Sequence, residues 1–219
     1  MKRLLVFTVL ALLLASKAIC AEAEEEEYSG GTSHFSFAAR GGFFFPDNKD
    51  FRRVYGQWSN DMYFFELGWY PIKNIVVAGT GGFYYQNSHT IGTITPTFSG
   101  EYVAMTLVPL ELGLRYRFNF RTNQLIIPEL GASYDFIYFN ENTNPGPTVE
   151  GWKQGYTFLG GLLISLDRFD PGAAWNLLND YGINNTYFQL AAEYTHAGSA
   201  NHGLNLSGFA YTAGIMFEF

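Results

Sequence analysis

The chain has 219 residues, one cysteine and a formal net charge of −7, and 18% of its residues are aromatic while only 15% are charged. The negative charge gives no reason to expect a nucleic-acid partner, and no run of 18 apolar residues is present, which speaks against a helical membrane protein. The length suits one domain, and a single cysteine offers no disulfide framework.

Residues 1–23 have the pattern of a secretory signal peptide, with a basic start, an apolar run over residues 4–15 and small residues after it. This run has about twelve residues, whereas a membrane-spanning helix needs roughly 20. The candidate cleavage sites follow Ala18, Cys20 and Ala23. Because Ile19 stands where a lipoprotein signal has a small residue, we expect no lipidation of Cys20. Residues 24–33 are predicted to be an acidic, flexible tail.

From residue 34 onward, apolar residues recur with period two, which is the spacing of a β-strand with one apolar face. The predicted strands span residues 34–45, 62–70, 75–85, 102–118, 129–138, 154–166, 185–195 and 204–219. Long polar loops are predicted near residues 46, 86, 140 and 196, and short links near 71, 119 and 167. Long loops at one end and short links at the other are typical of a transmembrane β-barrel.

The period changes after the sixth predicted strand. Asp170 followed by Pro171 is a helix N-cap with a first-turn proline, and Gly182 is a typical helix end. Between them, apolar residues recur at helical spacing at Ala174, Leu177, Leu178 and Tyr181. The sequence therefore predicts a helix of three turns between two strands.

The last eleven residues alternate without interruption and end on an aromatic residue. They resemble the closing strand of Gram-negative outer-membrane β-barrels, in which a terminal Phe follows apolar residues two, four and six positions earlier and a Tyr eight positions earlier. Phe219, Phe217, Ile215, Ala213 and Tyr211 fill these places. The resemblance implies that this strand is the signal that the barrel-assembly machinery recognises.

Together, the alternation and this resemblance predict an all-β protein of the small outer-membrane class that includes OmpA, OmpX and OmpW. Its fold would be an eight-stranded antiparallel up-and-down transmembrane β-barrel over residues 34–219, with a short helix on the periplasmic side. Lys49, Lys73 and Lys153 all fall in predicted loops or turns, whereas the wall of a soluble barrel carries lysines along its strands. We therefore expect a monomer whose aromatic face contacts outer-membrane lipids and lipopolysaccharide, with loops that could bind an extracellular ligand.

Charged residues alternate with the apolar ones, so they are expected inside the barrel. The predicted lumen network consists of Arg40, Glu66, Glu111, Arg115, Arg117, Glu129, Asp135 and Glu193. An eight-stranded barrel has just enough internal room for side chains, which favours a structural network of salt bridges over an open pore. The alternative is a narrow channel for protons or small solutes in which Arg and Glu partners exchange.

A second alternative is hydrolytic. His196 and Ser199 resemble the His-x-Ser-Asn site of the outer-membrane lipid A deacylases, although here three positions separate the two residues, which places them on opposite faces of a regular strand. A metal site at His196 and His202 would lack a carboxylate or thiol from the same loop. We therefore expect a protein that is not an enzyme, with no cofactor and no metal. Residues 150–195 also resemble an uncharacterised group of deltaproteobacterial outer-membrane barrels, which implies no activity.

Overall fold

The protein forms a closed barrel of eight antiparallel strands that pair in chain order. The structure is a computed structural model, and it describes residues 33–49, 51, 60–91, 98–121, 124–144, 146–198 and 205–219. The strands are β1 (Phe35–Pro46), β2 (Asn60–Ile72), β3 (Ile75–Ile91), β4 (Phe98–Arg117), β5 (Ile126–Asn144), β6 (Thr148–Ser165), β7 (Asn185–His196) and β8 (Gly208–Glu218). The predicted signal peptide and acidic tail lie outside the described residues, apart from Ser33.

The barrel closes where β8 pairs with β1. Phe37 pairs with Phe217 and Gly41 with Ala213, in an antiparallel register that continues to Pro46. The backbone N–H of His34 donates to the carbonyl of Phe219 at 2.7 Å, so both ends of the barrel segment lie at the same rim. The predicted fold class is therefore confirmed.

Alternation places each strand's residues on two surfaces. In β8, Tyr211 and Ile215 are exposed on the outside, while Thr212 and Met216 are buried inside. The same holds around the barrel, and the outer surface is almost entirely aromatic and aliphatic. Its exposed residues include Phe35, Phe43, Tyr63, Phe65, Leu67, Trp69, Phe83, Leu112, Leu114, Leu130, Tyr134, Phe158 and Tyr211. A surface this apolar fits hydrocarbon rather than water.

Two predicted loops are largely strand. β3 runs to Ile91, and β5 and β6 are joined by residues 145–147. The predicted loops near 86 and 140 were therefore too long. Their Ser, Thr, Asn and Gly content indicated loops, but the strands continue to pair there, as Asn142 does with Thr148. Pairing satisfies the backbone hydrogen-bonding groups, and this outweighs weak local preference.

β8 begins at Gly208, four residues later than the prediction. The Asn205 side chain accepts a hydrogen bond from the backbone N–H of Ser207 at 2.8 Å, which is a turn conformation that competes with strand pairing. Leu206, between them, points into the barrel and is buried.

The β3–β4 ladder is interrupted once within the wall. Gly82 and Phe83 of β3 do not pair with Val108 and Pro109 of β4, although the two strands pair on either side of this gap. Proline has no N–H to donate, so it cannot complete the ladder there. A Cβ at Gly82 would lie 2.7 Å from Cγ of Pro109, which makes glycine the residue that fits.

The predicted helix is confirmed as α1 (Pro171–Tyr181). Oδ1 of Asp170 accepts from the backbone N–H of Ala173 at 2.9 Å and caps the first turn. Gly182 has φ of 70°, a left-handed conformation that ends the helix. Within the described residues, no helix has both the length and the apolar character needed to cross a membrane.

The barrel interior contains two chemically different zones. At the rim opposite α1, an apolar plug is formed by Phe44, Phe51, Met62, Phe64, Tyr84, Val103, Met105, Leu107, Ile137, Ala197, Leu206 and Ala210. Between this plug and the α1 rim lie charged and polar side chains, with a smaller apolar cluster beside them.

Candidate functional site

Arg40 of β1 lies at the centre of the charged zone and is 3% exposed. Its Nη1 forms an ion pair with Glu193 of β7 and donates to Oγ1 of Thr212 at 3.2 Å. Its Nη2 lies 3.4 Å from Oε2 of Glu66 on β2. The guanidinium carbon also lies 5.3 Å from the ring centroid of Phe64, where a cation–π contact supports the charge. Arg40 therefore joins two buried carboxylates across the lumen.

Arg115 and Arg117 of β4 extend this chain of ion pairs. Nη2 of Arg115 lies 2.5 Å from Glu66, and its Nη1 lies 3.8 Å from Oε1 of Glu129. Nε of Arg117 lies 3.4 Å from Oε2 of the same Glu129, to which Gln189 donates at 2.7 Å. The alternating sequence Glu193, Arg40, Glu66, Arg115, Glu129, Arg117 is hereafter called the ion ladder. It crosses the lumen from β7 to β4 and β5.

One further carboxylate, that of Glu218, contacts the end of the ion ladder and was not among the predicted lumen residues. Glu218 of β8 lies 2.7 Å from Nη1 of Arg117 and accepts from Oη of Tyr70 at 2.7 Å and Nδ2 of Asn185 at 3.0 Å. Arg117 also donates to Tyr70. The signal was present in the sequence, because Glu218 alternates with the outward Phe219 and Phe217 and so had to face inward.

Glu111 and Asp135 are placed in the lumen but lie outside the ion ladder. The hydroxyl of Ser133 lies 3.2 Å from Oε2 of Glu111 and 3.1 Å from Oδ1 of Asp135. Thr157 donates to the other oxygen of Asp135 at 2.6 Å and lies 2.7 Å from the hydroxyl of Thr195. The hydroxyl group of Ser133 has one hydrogen to donate, so it donates to one of these carboxylates at a time.

The lumen is acidic overall. Among the described residues it holds six carboxyl groups, those of Glu66, Glu111, Glu129, Asp135, Glu193 and Glu218, and three guanidinium groups, those of Arg40, Arg115 and Arg117. The fourth cation is Lys153, which was predicted in a loop but lies in β6 with its Nζ buried, 5.8 Å from the ring centroid of Phe139. A narrow space with this excess of acidic groups favours a cation over an anion.

Glycines make room for the ladder. A Cβ on Gly161 would lie 2.9 Å from Oε1 of Glu129, and one on Gly131 would lie 3.0 Å from Cγ of Arg115. Both positions face the lumen, so these glycines allow long charged side chains to cross a barrel of only eight strands.

Two small cavities flank Glu111. Each has space for about one water molecule. The described residues include no group of three His, Cys, Asp or Glu side chains placed to hold a metal ion.

The proposed hydrolytic pair is only partly described. The ring of His196 packs against Tyr156 with centroids 5.2 Å apart. Ser199 and His202 lie outside the described residues.

The residues of the closing strand lie on the outer surface. Tyr211, Ile215 and Phe219 are exposed, and Ala213 and Phe217 are partly exposed between them. β8 is paired on both edges, with β7 and with β1. In the closed barrel, only the side chains of this strand remain available to the surroundings.

Two solved structures show the same fold. Neisserial surface protein A (NspA) matches with a TM-score of 0.59 at 15% identity, covering 86% of this chain and 99% of that one. OprG, an outer membrane protein from Pseudomonas aeruginosa, matches with a TM-score of 0.59 at 16% identity, covering 87% of this chain and 98% of that one. No protein-family model matches the chain, and no curated protein matches its sequence.

The fold and the apolar outer surface define an eight-stranded outer-membrane β-barrel, as the sequence predicted. The short connections and α1 lie at one rim of the barrel, and the apolar plug lies toward the other. The resemblance of residues 150–195 to a deltaproteobacterial group stays a prediction.

Proposed function

We propose that this protein is a closed structural barrel of the outer membrane, which stabilises the envelope, presents its loops to the surroundings and conducts no solute. The filled lumen carries this proposal. The ion ladder crosses the interior from wall to wall, and the apolar plug covers it toward the rim opposite α1. We propose that the barrel acts as a monomer, because β1 and β8 pair with each other and leave no free edge in the wall.

Conductance in planar bilayers tests the closed state. We expect the refolded full chain to insert without unitary current steps, while insertion is verified by the mobility difference between boiled and unboiled samples. Reproducible steps that require folded protein would overturn the proposal.

The acidic excess of the lumen favours a cation-selective channel as the second candidate. If unitary current steps do appear, the Glu111→Gln variant tests whether the ions pass through the lumen, because Glu111 lines both cavities and lies outside the ion ladder. A channel through the lumen would lose cation selectivity in this variant. The matched control is Glu150→Gln, which removes a carboxylate from an exposed position of β6.

We propose no catalytic role. The spacing of His196 and Ser199 supports this, since residues three apart face opposite sides of a regular strand. Mass spectra of lipid A from cells with and without the protein test it. Loss of an acyl chain that needs both His196 and Ser199 would establish the deacylase alternative.

We propose that Tyr211, Ala213, Ile215, Phe217 and Phe219 are the signal for the barrel-assembly machinery. Because both edges of β8 are paired in the finished barrel, the machinery would bind this strand before closure. Deletion of Phe219 should leave refolding into detergent nearly unchanged but cause unassembled chain to accumulate in the periplasm of living cells. Normal assembly in cells with failure in detergent would instead make Phe219 a packing residue.

A further inference from the structure

The outer wall of β5 and β6 changes its chemistry at one cross-strand pair, Tyr138 with Trp152. On the α1 side of this pair, the outward residues of both strands are mostly aromatic. On the side of the opposite rim, the next outward pair is Asn140 with Glu150, and both of its members are polar. The Tyr138–Trp152 pair therefore lies at the boundary between an apolar and a polar part of the same wall.

Trp152 presents a large aromatic surface at this boundary and is 62% exposed. On one side, β7 reaches only to His196, which pairs with Tyr156, so Trp152 lies beyond the end of that strand. On the other side, the ring centroid of Tyr138 lies 5.4 Å away, with the two ring planes at 55°. The two rings therefore form one exposed aromatic surface just outside the last part of the wall that β7 covers.

A carboxylate is held in a fixed position beside these rings. Oε2 of Glu150 accepts from Oη of Tyr138 at 2.8 Å and from Nδ2 of Asn140 at 3.3 Å. Within the described part of the chain, Oε1 of Glu150 accepts no hydrogen bond. Oε1 of Gln154 accepts from Oη of Tyr134 at 3.0 Å, so the amide nitrogen of Gln154 keeps its two hydrogens for another acceptor. An oriented acceptor and an oriented donor thus lie on either side of the aromatic surface.

This part of the wall carries little charge. Among the described outward residues of β5 over 136–142 and of β6 over 148–154, Glu150 is the one charged side chain. Glu141 and Lys153 alternate with these residues and face the lumen. Aromatic rings at a membrane interface also serve as anchors, but anchoring gives no reason for a carboxylate and an amide oriented beside them. Hydroxyl groups need both acceptors and donors, and the C–H groups of a sugar ring pack on aromatic rings, so the surface suits a sugar.

We propose that Trp152 and Tyr138, together with Glu150, Asn140 and Gln154, bind the sugar headgroup of a glycolipid in the leaflet around this rim. The apolar outer surface of the barrel continues directly from the two rings toward α1, so a ligand with acyl chains contacts both surfaces at once. The inference rests on the orientation predicted from the sequence, in which α1 lies on the periplasmic side and this rim faces the leaflet that holds lipopolysaccharide. It goes beyond the closed-barrel function and does not depend on whether the lumen conducts.

Displacement of a quenching lipid from Trp152 tests this binding. Trp58→Phe, Trp69→Phe and Trp175→Phe together leave Trp152 as the only tryptophan of the full chain. The chain is refolded into vesicles of brominated phosphatidylcholine that also contain digalactosyl diacylglycerol or unbrominated phosphatidylcholine, at the same mole fraction and with the same acyl chains. Neither added lipid has a net charge, so the comparison isolates the sugar. We expect the glycolipid to bind next to Trp152 about fivefold more strongly, which is observed as a larger recovery of fluorescence.

The polar residues are tested in the same background. Glu150→Ala, Asn140→Ala and Gln154→Ala together should bring the preference close to one, with Glu150→Ala alone giving the largest part. Asp61→Ala is the matched control, because it removes an exposed carboxylate from β2 toward the same rim and should leave the preference unchanged. Folding of each variant is checked by the mobility of unboiled protein.

Three results would overturn the proposal. Equal recovery with the two lipids would show that Trp152 and Tyr138 are interface anchors that select no headgroup. A preference that survives the triple alanine substitution would show that the polar residues do not contact the sugar. Free digalactosyl glycerol, added in water, that restores the fluorescence as fully as the glycolipid would identify the ligand as a soluble glycan.

Discussion

The two zones of the lumen fill the same barrel by opposite means. The ion ladder consists of six charged side chains that contact one another in pairs, whereas the plug consists of apolar side chains with no charge among them. Several buried atoms of the charged zone lack a hydrogen-bond partner, among them Nε of Arg40, Oε1 of Glu66 and Oε1 of Gln189. The plug has one such atom, the hydroxyl oxygen of Tyr84.

Because of this difference, we expect the stability of the barrel to respond differently when one side chain is removed from each zone. Removal of one charged side chain from the ion ladder leaves its buried partner without a counter-ion, and no other group replaces it. A side chain removed from the plug leaves a cavity whose size depends on how far its neighbours relax. The following predictions separate these two responses.

The largest effect is expected for Arg40→Met, which leaves Glu66 and Glu193 without this counter-ion. We expect the free energy of unfolding to fall by about 3 to 5 kcal/mol, because both carboxylates remain buried. Urea unfolding of the refolded barrel in lipid vesicles measures this. The double variant Arg40→Met with Glu193→Gln should recover part of the loss. A loss below about 1 kcal/mol in the single variant would mean that water, or protonation of the carboxylates, replaces the missing guanidinium.

Met105→Ala tests the plug, where the side chain is fully buried. We expect a loss of about 2 to 5 kcal/mol from the lost apolar contacts and the remaining cavity. Planar-bilayer current should stay absent, because the ion ladder still crosses the lumen. Channel steps in this variant would show that the plug alone closes the barrel.

Ile215→Arg compares the inside of the wall with its outside. Ile215 is 44% exposed on the lipid-facing surface, on the strand next to Arg40. An arginine there would lie in hydrocarbon without the carboxylates that surround Arg40, which costs about 2 to 4 kcal/mol near the middle of the membrane. Phe219→Arg, at the rim, should cost only about 0 to 1 kcal/mol. Similar losses for both would contradict the depth assigned to β8.

The smallest effect is expected for Tyr84→Phe, which removes the one unpartnered polar atom of the plug. Tyr84 is fully buried, and its ring packs edge-on against Phe44 at 6.2 Å between centroids. Since the ring stays and only the hydroxyl leaves, the free energy of unfolding should be unchanged or rise by about 1 kcal/mol. A clear destabilisation would show that the hydroxyl is hydrogen-bonded in the native state.

Much of the lumen could be predicted from alternation alone. The side chains of Arg40, Glu66, Arg115 and Glu129 point inward because each lies between outward apolar neighbours in its strand. Glu218 obeys the same rule and could have been included. Phe51 could not, because it follows a strand end in a polar segment, yet it is 1% exposed within the plug. Its burial depends on the position that Phe51 takes over the lumen after β1 has ended, which period-two spacing does not encode.

The sequence by itself determined which surface of each strand is apolar, where α1 begins and ends, and which charges lie inside, since these follow from local periodicity and capping. The tertiary structure alone decided which carboxylate each arginine contacts. Arg117, for example, lies between Glu129 on the neighbouring strand and Glu218 on a strand far away in sequence. Such partners depend on the register between strands and on how the barrel closes, and these are set by the packing of all eight strands together.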